Sequence, residues 1–250
     1  MKITDHIARE TALFNDCLKR YAEELELFDS LSTLYDRLIA ECPIRTATDR
    51  PASGLFLVVS IQMLGIPSQV LRGRVTDAYV LARRAIEGTG AARVLAEQPE
   101  LERVFISAYP NVGDADHPQQ FLPSREYKQA FSTRKLFKDA TDDPWRQLRV
   151  MYATISATHS QAGIGAMISH QLRDGRLFMP AVESDDRVLL RSWYSLLATF
   201  TSILEAFFLI FVDLGHKIGD DFRRAAVTLR DEMRHTLQVR APWFALPGGP

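Results

Sequence analysis

The chain has little cysteine and almost no net charge. Cys17 and Cys42 are its only cysteines in 250 residues, and 30 Lys and Arg residues face 31 Asp and Glu residues. Cys17 lies in one predicted helix and Cys42 at its end, about 37 Å apart along its axis, which is too far for a disulfide within that helix. Unpaired thiols are typical of a reducing cytoplasm. The balanced charge gives no global attraction to nucleic acid or to an anionic membrane surface.

Several motifs with known chemistry are also missing. The sequence has no Cys/His zinc spacing, no Gly-rich phosphate loop and no Ser-x-x-Lys nucleophile motif. Its first residues lack the apolar core of a signal peptide. Glu232 and His235 have the Glu-x-x-His spacing of a di-iron carboxylate helix, and Asp213 and His216 have a similar Asp-x-x-His spacing. A di-iron bundle needs that motif twice on internal helices, so we expect no metal and no cofactor.

One apolar run is almost long enough to span a membrane. The 17 residues from Leu196 to Val212 are mostly apolar, with Glu205 near the middle. A central carboxylate is unfavourable in a bilayer, and the run is at the short limit for crossing one. We therefore expect a buried core helix and no membrane contact.

The periodicity of apolar residues predicts an all-α fold, an irregular multi-helix bundle with a long N-terminal helix. That helix is predicted from Thr4 to Glu41, before Pro43. An apolar stripe repeats along it every seven residues, at Ile7, Phe14, Tyr21, Phe28 and Tyr35. The predicted organisation is a long helix at 1–42, a bundle domain at 43–240 and a non-helical tail at 241–250.

The long stripe has two interpretations. It can be a packing face for the chain's own core, or a dimerisation arm. A stripe of this length would leave a large exposed apolar patch on a monomer, which soluble proteins avoid. The sequence therefore predicts a homodimer.

Turn residues divide the remaining chain. Residues 43–53 are predicted to form a loop, followed by a buried helix from Gly54 that Pro67 ends. Ser68 then begins a long helix that reaches about Gln98. Further helices are predicted at about 99–109, 124–139, 144–172, 185–214 and 220–240, with a loop at 110–124 and a short extended piece at 176–182.

Three of these helices contain polar groups among apolar neighbours. Arg83, Arg84 and Glu87 share the helix at 68–98, where Gly88 and Gly90 permit close approach of another backbone. Tyr152 and His159 lie on one face of the helix at 144–172, and Ser202 and Glu205 on the apolar helix at 185–214.

Isolated burial of any of these ionisable groups would cost several kcal/mol, so mutual pairing is the least costly arrangement. We expect Arg83 or Arg84 to converge with Glu87, His159 and Glu205 in one internal polar cluster. Two roles remain open for its members. The Arg–Glu pair can be a salt bridge at a packing seam, and His159 can be a hydrogen-bonded core histidine or a general acid or base.

The order of these motifs resembles a family of bacterial all-helical domains of unknown function, similar in turn to the HEPN-like helical domains. An Arg-x-x-x-Glu helix is followed by a Tyr-x-x-x-Ser-x-x-His helix and then by an apolar helix, over roughly residues 68–215. The resemblance implies a bacterial cytoplasmic protein linked to phage defence or to a toxin–antitoxin context. It implies no particular reaction.

HEPN ribonucleases have an Arg, a polar residue and a His that act on RNA without metal at a cleft between two subunits. Arg230, Asp231 and His235 match that pattern. The Arg would stabilise the charged phosphorane, and the His would transfer the proton. The helical wheel, however, places His235 nearly opposite the apolar face of its helix.

Two functions are therefore compatible with the sequence. The first is a helical module of unknown role with an internal polar pocket, which binds a small ligand or a partner. The alternative is a metal-independent HEPN-like ribonuclease. The sequence leaves open whether the protein is an enzyme.

Overall fold

A computed structural model describes residues 3–108, 122–137, 140–158, 172–173, 176–177 and 183–244. The helices, in chain order, are α1 (Ile3–Arg20), α2 (Ala22–Glu41), α3 (Asp49–Leu71), α4 (Val75–Glu97), α5 (Glu102–Ser107), α6 (Arg125–Ala130), α7 (Thr133–Leu136), α8 (Trp145–Thr158), α9 (Asp186–Asp213) and α10 (Asp220–Arg240). A 3₁₀ turn occupies Pro99–Leu101, and β1 (Leu172–Arg173) pairs antiparallel with β2 (Arg176–Leu177). The predicted all-α multi-helix fold is confirmed.

The prediction of one continuous N-terminal helix is wrong, because the helix is interrupted at Tyr21. The backbone there has φ −111° and ψ 32°, which separates α1 from α2. The Tyr21 ring is fully buried and lies 6.1 Å from the Trp193 ring, centroid to centroid. Its hydroxyl donates to the Asp186 carboxylate at the start of α9. These contacts hold Tyr21 in place at the junction of the two helices.

The apolar stripe of the N-terminal segment is used within the chain itself. Phe28 and Tyr35 are buried, and the Tyr35 hydroxyl donates to the carbonyl of Phe200 at 2.8 Å. The Tyr35 ring also stacks on Phe56 of α3 at 5.2 Å. At the other end of the stripe, Ile7 is 55% exposed. From Tyr21 onward the stripe is therefore a core face, and this part of it cannot contact a second copy.

The helix α3 is longer than predicted at both ends. Pro67 lies inside it, and the helix continues to Leu71. Proline removes one backbone hydrogen bond, but the continued helix buries Val70 and Leu71 in the core, which offsets that loss. The turn into α4 falls instead at Gly73, with φ +70°.

The predicted loop at 43–53 contains the true start of α3, which a capping box fixes. The Asp49 amide donates to Thr46 Oγ1 at 3.2 Å, while the Thr46 amide donates to Asp49 Oδ2 at 3.0 Å. Burial raises the pKa of Asp49, but amide donors from Arg45 and Thr46 outweigh it and leave that pKa below its usual value. The Arg45 guanidinium also donates to the carbonyl of Leu214 at 3.1 Å, which joins this loop to the end of α9.

The centre of the bundle is α9, which packs on α2, α3, α4, α8 and α10. The predicted buried helix is thus a core helix, with fully buried side chains at Trp193, Phe200 and Phe207. Asp185 caps its start by accepting from the Arg187 amide at 2.9 Å. The last helix, α10, has the predicted bounds.

Two other predicted helices differ from the structure. The predicted helix at 124–139 is two short helices, α6 and α7, separated at Phe131, whose buried ring packs edge-on against Phe105 at 5.2 Å. The helix predicted at 144–172 is described as α8 up to Thr158. Residues 159–171 of that prediction lie outside the described residues, and Leu172, its predicted last residue, belongs to β1.

Candidate functional site

The predicted polar pair on α4 forms a network with Tyr152 of α8. Arg83 Nε donates to Glu87 Oε1 at 3.1 Å, and the Tyr152 hydroxyl donates to the same oxygen at 2.9 Å. Arg83 Nη2 donates to the Tyr152 hydroxyl at 3.2 Å, and Thr133 of α7 lies 3.4 Å from it. The side chains of Arg83 and Glu87 are 26% and 39% exposed, so water reaches the network. It braces α4, α7 and α8 against one another.

Replacing Tyr152 with Phe should lower the free energy of unfolding by about 1.5 kcal/mol, because the Glu87 carboxylate loses a hydrogen-bond donor. Urea denaturation followed by circular dichroism measures the change. Thr133→Val is the control, since Thr133 is exposed and its contact is long, and it should cost less than about 0.5 kcal/mol. Equal losses in the two variants would contradict the role of Tyr152 as the centre of the network.

The described residues do not form the single predicted cluster. Ser202 donates to Gln147 Oε1 of α8 at 2.8 Å, whereas Glu205 pairs with Arg230 of α10. The two positions are only three residues apart on α9, but this helix packs against both α8 and α10, and each side chain pairs with a different one of them. Arg84 is exposed. His159 lies outside the described residues, so its predicted place in the cluster stays a prediction.

The partner of Glu205 is thus the arginine of the nuclease-like motif. A hollow of about 180 Å³ between α9 and α10 lies beside this ion pair, with Phe208 and Phe222 in its walls. Asp231 and His235 of the motif are exposed. Within the described residues, no contact brings His235 to Arg230, and the ribonuclease hypothesis stays a prediction.

A larger concave surface lies where α4 meets α5, α6 and α7. This surface, which we call the α4–α7 groove, has a volume of about 880 Å³. Its apolar lining consists of Val94, Leu101, Val104 and Ala130. Below it α4 and α7 approach closely at Gly90, where an added Cβ would lie 2.9 Å from Leu136 Cβ. The close approach predicted at this glycine is therefore present.

The charged lining of the α4–α7 groove comprises three cations and two carboxylates: Arg93, Lys128, Lys135, Glu97 and Glu126. Arg93 Nε donates to Glu97 Oε1 at 2.7 Å, and its guanidinium lies 4.8 Å from the centre of the Trp145 ring. Lys128 and Lys135 are exposed, and no ion pair joins either of them to another described residue. The groove therefore has two exposed ammonium groups, those of Lys128 and Lys135, beside an apolar wall.

Sequence reasoning missed this groove because its lining comes from five short or separated elements. The sequence predicts Lys128 and Lys135 on one helix at 124–139, whereas they lie on two short helices of six and four residues, and their pattern does not indicate how these helices meet α4. Of the three basic residues in the lining, only Arg93 lies on a long helix, α4.

Among the described residues, no group of three or more His, Cys, Asp and Glu side chains is placed to hold a metal ion. Comparisons with protein-family models, with curated proteins and with solved structures find no match for the chain. The HEPN-like resemblance thus stays a prediction from the short motifs, and the α4–α7 groove is the basis for a function.

Proposed function

We propose that the protein is a binding module that takes a small amphipathic organic anion in the α4–α7 groove. The observation that supports this function is the size and lining of the groove. Its volume of about 880 Å³ lies within the range of ligand sites, which combine an apolar wall with a few polar groups.

The charge of the lining favours an anion. Glu97 is already paired with Arg93 at 2.7 Å, so that carboxylate has little remaining attraction for a ligand cation. Lys128 and Lys135 together carry two positive charges, and the one remaining carboxylate, Glu126, can neutralise only one of them. A carboxylate, sulfonate or phosphate would find two ammonium donors at this rim.

The apolar wall favours a ligand that also has a hydrocarbon or aromatic part. Val94 is 7% exposed, and Leu101 and Val104 are half-buried beside it. Covering such a surface stabilises a complex by about 25 cal/mol per Å² of apolar area removed from water. An inorganic anion would use the lysines alone and bind more weakly.

The test uses 1-anilinonaphthalene-8-sulfonate, an aromatic sulfonate whose fluorescence rises in apolar surroundings. We expect saturable binding, and we expect Lys128→Gln/Lys135→Gln to raise its Kd roughly fivefold, because two exposed charge contacts are lost. The control is Lys19→Gln/Lys217→Gln, which removes two exposed lysines outside the groove lining and should leave the Kd unchanged.

Competition separates the charge of the ligand from its apolar part. Octanoate should displace the fluorophore, whereas octylammonium of the same length should not. Unsaturable fluorescence, an unchanged Kd in the Lys128/Lys135 variant, or equal displacement by the two competitors would each contradict the proposed function.

The state of the two thiols supports a cytoplasmic location for this module. Cys17 and Cys42 are buried and free. Burial raises the pKa of Cys17 to about 11 and that of Cys42 to about 12, so both stay protonated and unreactive at neutral pH.

A further inference from the structure

An apolar face of α3 is uncovered. Leu57, Val58, Ile61 and Leu64 are 48%, 50%, 69% and 60% exposed. The 21 residues between Arg50 and Arg72 contain no charged side chain. A contiguous apolar patch on a helix surface marks an interaction site.

The spacing of the uncovered residues is that of a helix-packing seam. Gly54, Leu57, Ile61, Leu64 and Ser68 follow one another at steps of three, four, three and four, the a/d pattern of paired helices. The first four are exposed, and Ser68 is half-buried.

The seam is also symmetric in size about Ile61. A leucine lies on each side of Ile61, and a small residue, Gly54 or Ser68, lies at each end. In an antiparallel pair of such helices, Ile61 meets its own copy, Leu57 meets Leu64, and Gly54 meets Ser68. This face is therefore complementary to itself, as a two-fold interface requires.

We propose that this face pairs with the same face of a second copy of the chain, as an antiparallel α3–α3 contact with the two-fold axis at Ile61. The contact is independent of the α4–α7 groove and of its ligand. It involves α3 in place of the N-terminal stripe, whose part from Tyr21 onward is buried in the core.

A span across a membrane is a less suitable role for this helix. Both α3 and α9 are long and apolar enough to cross a bilayer by length and composition. The opposite face of α3, however, includes Phe56, Val59 and Met63, which are at most 1% exposed in the core. Insertion of α3 across a bilayer would remove those side chains from the bundle, whereas helix pairing leaves them in place.

The size of the face sets the expected affinity. The uncovered stretch from Gly54 to Ser68 is about 21 Å long and about 10 Å wide, which gives a face of roughly 200 Å². Stable interfaces bury about 800 Å² on each partner, so α3 needs neighbouring surface to reach that area. We expect a reversible dimer with a Kd on the order of micromolar.

Sedimentation velocity over a range of concentrations tests the dimer. Ile61→Glu should raise the dimer Kd roughly hundredfold, because two carboxylates would face each other at the axis. Val239→Glu is the matched control, since Val239 is 66% exposed on α10, and this variant should dimerise like the wild type. A monomeric wild type, or a dimer unaffected by Ile61→Glu, would overturn the proposal.

Cysteine cross-linking tests the antiparallel register, since the native thiols are buried. Ile61→Cys should form an oxidised dimer. Leu57→Cys alone should not, because the two copies of position 57 would be about 12 Å apart along the axis. Mixing Leu57→Cys with Leu64→Cys should restore cross-linking. Rapid cross-linking of Leu57→Cys alone, or sedimentation of the wild type with phosphatidylcholine vesicles in place of dimerisation, would contradict this arrangement.

Discussion

Arg240→Met is expected to lower the free energy of unfolding by about 4 kcal/mol, because it leaves a fully buried carboxylate without its cation. Glu24 on α2 has no exposed surface. Arg240 at the end of α10 approaches it as a fork, with Nε 3.2 Å from Oε1 and Nη2 3.4 Å from Oε2. The same Nη2 donates to the Arg20 carbonyl at 2.7 Å. Chemical denaturation measures the loss.

A double variant separates the stranded charge from the loss of packing. Glu24→Gln/Arg240→Met should cost about 2 kcal/mol less than Arg240→Met, since a neutral amide still accepts from the Tyr194 hydroxyl, which lies 2.9 Å from Glu24 Oε1. Arg224→Met removes an exposed arginine of the same helix and should change stability by less than about 0.5 kcal/mol. If the double variant were as unstable as Arg240→Met, the buried charge would not be the cause.

Buried ion pairs of this kind show how far the sequence predicts the structure. Helix types, the capped start of α9 and the bounds of α10 follow from local periodicity and end residues, which act over a few positions. Glu24 and Arg240 are 216 positions apart, and nothing in the spacing of either residue indicates the other. Long-range pairing depends on how helices meet, which periodicity alone does not determine.

The α4–α7 groove was not predicted, but the polar network around Arg83 was predictable in the same local sense. Arg83 and Glu87 pair as their spacing of four indicates, and Tyr152 joins them from a helix that was correctly expected nearby. Glu205 was assigned to the same cluster on energetic grounds alone. The energetic argument correctly requires a cation for this carboxylate, but it cannot choose between Arg83 and Arg230, and the structure pairs Glu205 with Arg230.

The errors at the two ends of α3 have a common physical origin. Pro67 and the segment 43–53 were interpreted from local preferences, which favour a helix end and a loop. Burial of Val70 and Leu71 at one end and the Thr46–Asp49 capping box at the other outweigh those preferences. The turn between α3 and α4 does follow a local preference, because it falls at Gly73, whose positive φ favours glycine.

Gly73→Ala is the second substitution with a large expected effect, a loss of about 3 kcal/mol in the free energy of unfolding. The φ of +70° is unfavourable for alanine, and an added Cβ would lie 2.3 Å from the Glu183 carbonyl oxygen. The backbone there has no room to move without losing the hydrogen bond from the Glu183 amide to the Gly73 carbonyl, at 2.9 Å. That bond fixes the chain just before α9 to the turn between α3 and α4.

Gly215→Ala separates the steric cost from the conformational one. Gly215 also has a positive φ, of +81°, but an added Cβ there meets nothing within 4 Å. This variant should lose only about 1 kcal/mol, the cost of a left-handed alanine. Urea denaturation of both variants gives the difference, about 2 kcal/mol, which measures the close contact between Gly73 and Glu183. Equal losses of stability in the two variants would show that the chain before α9 moves at little cost. The contact between Gly73 and Glu183 would then not hold the start of α9 in place.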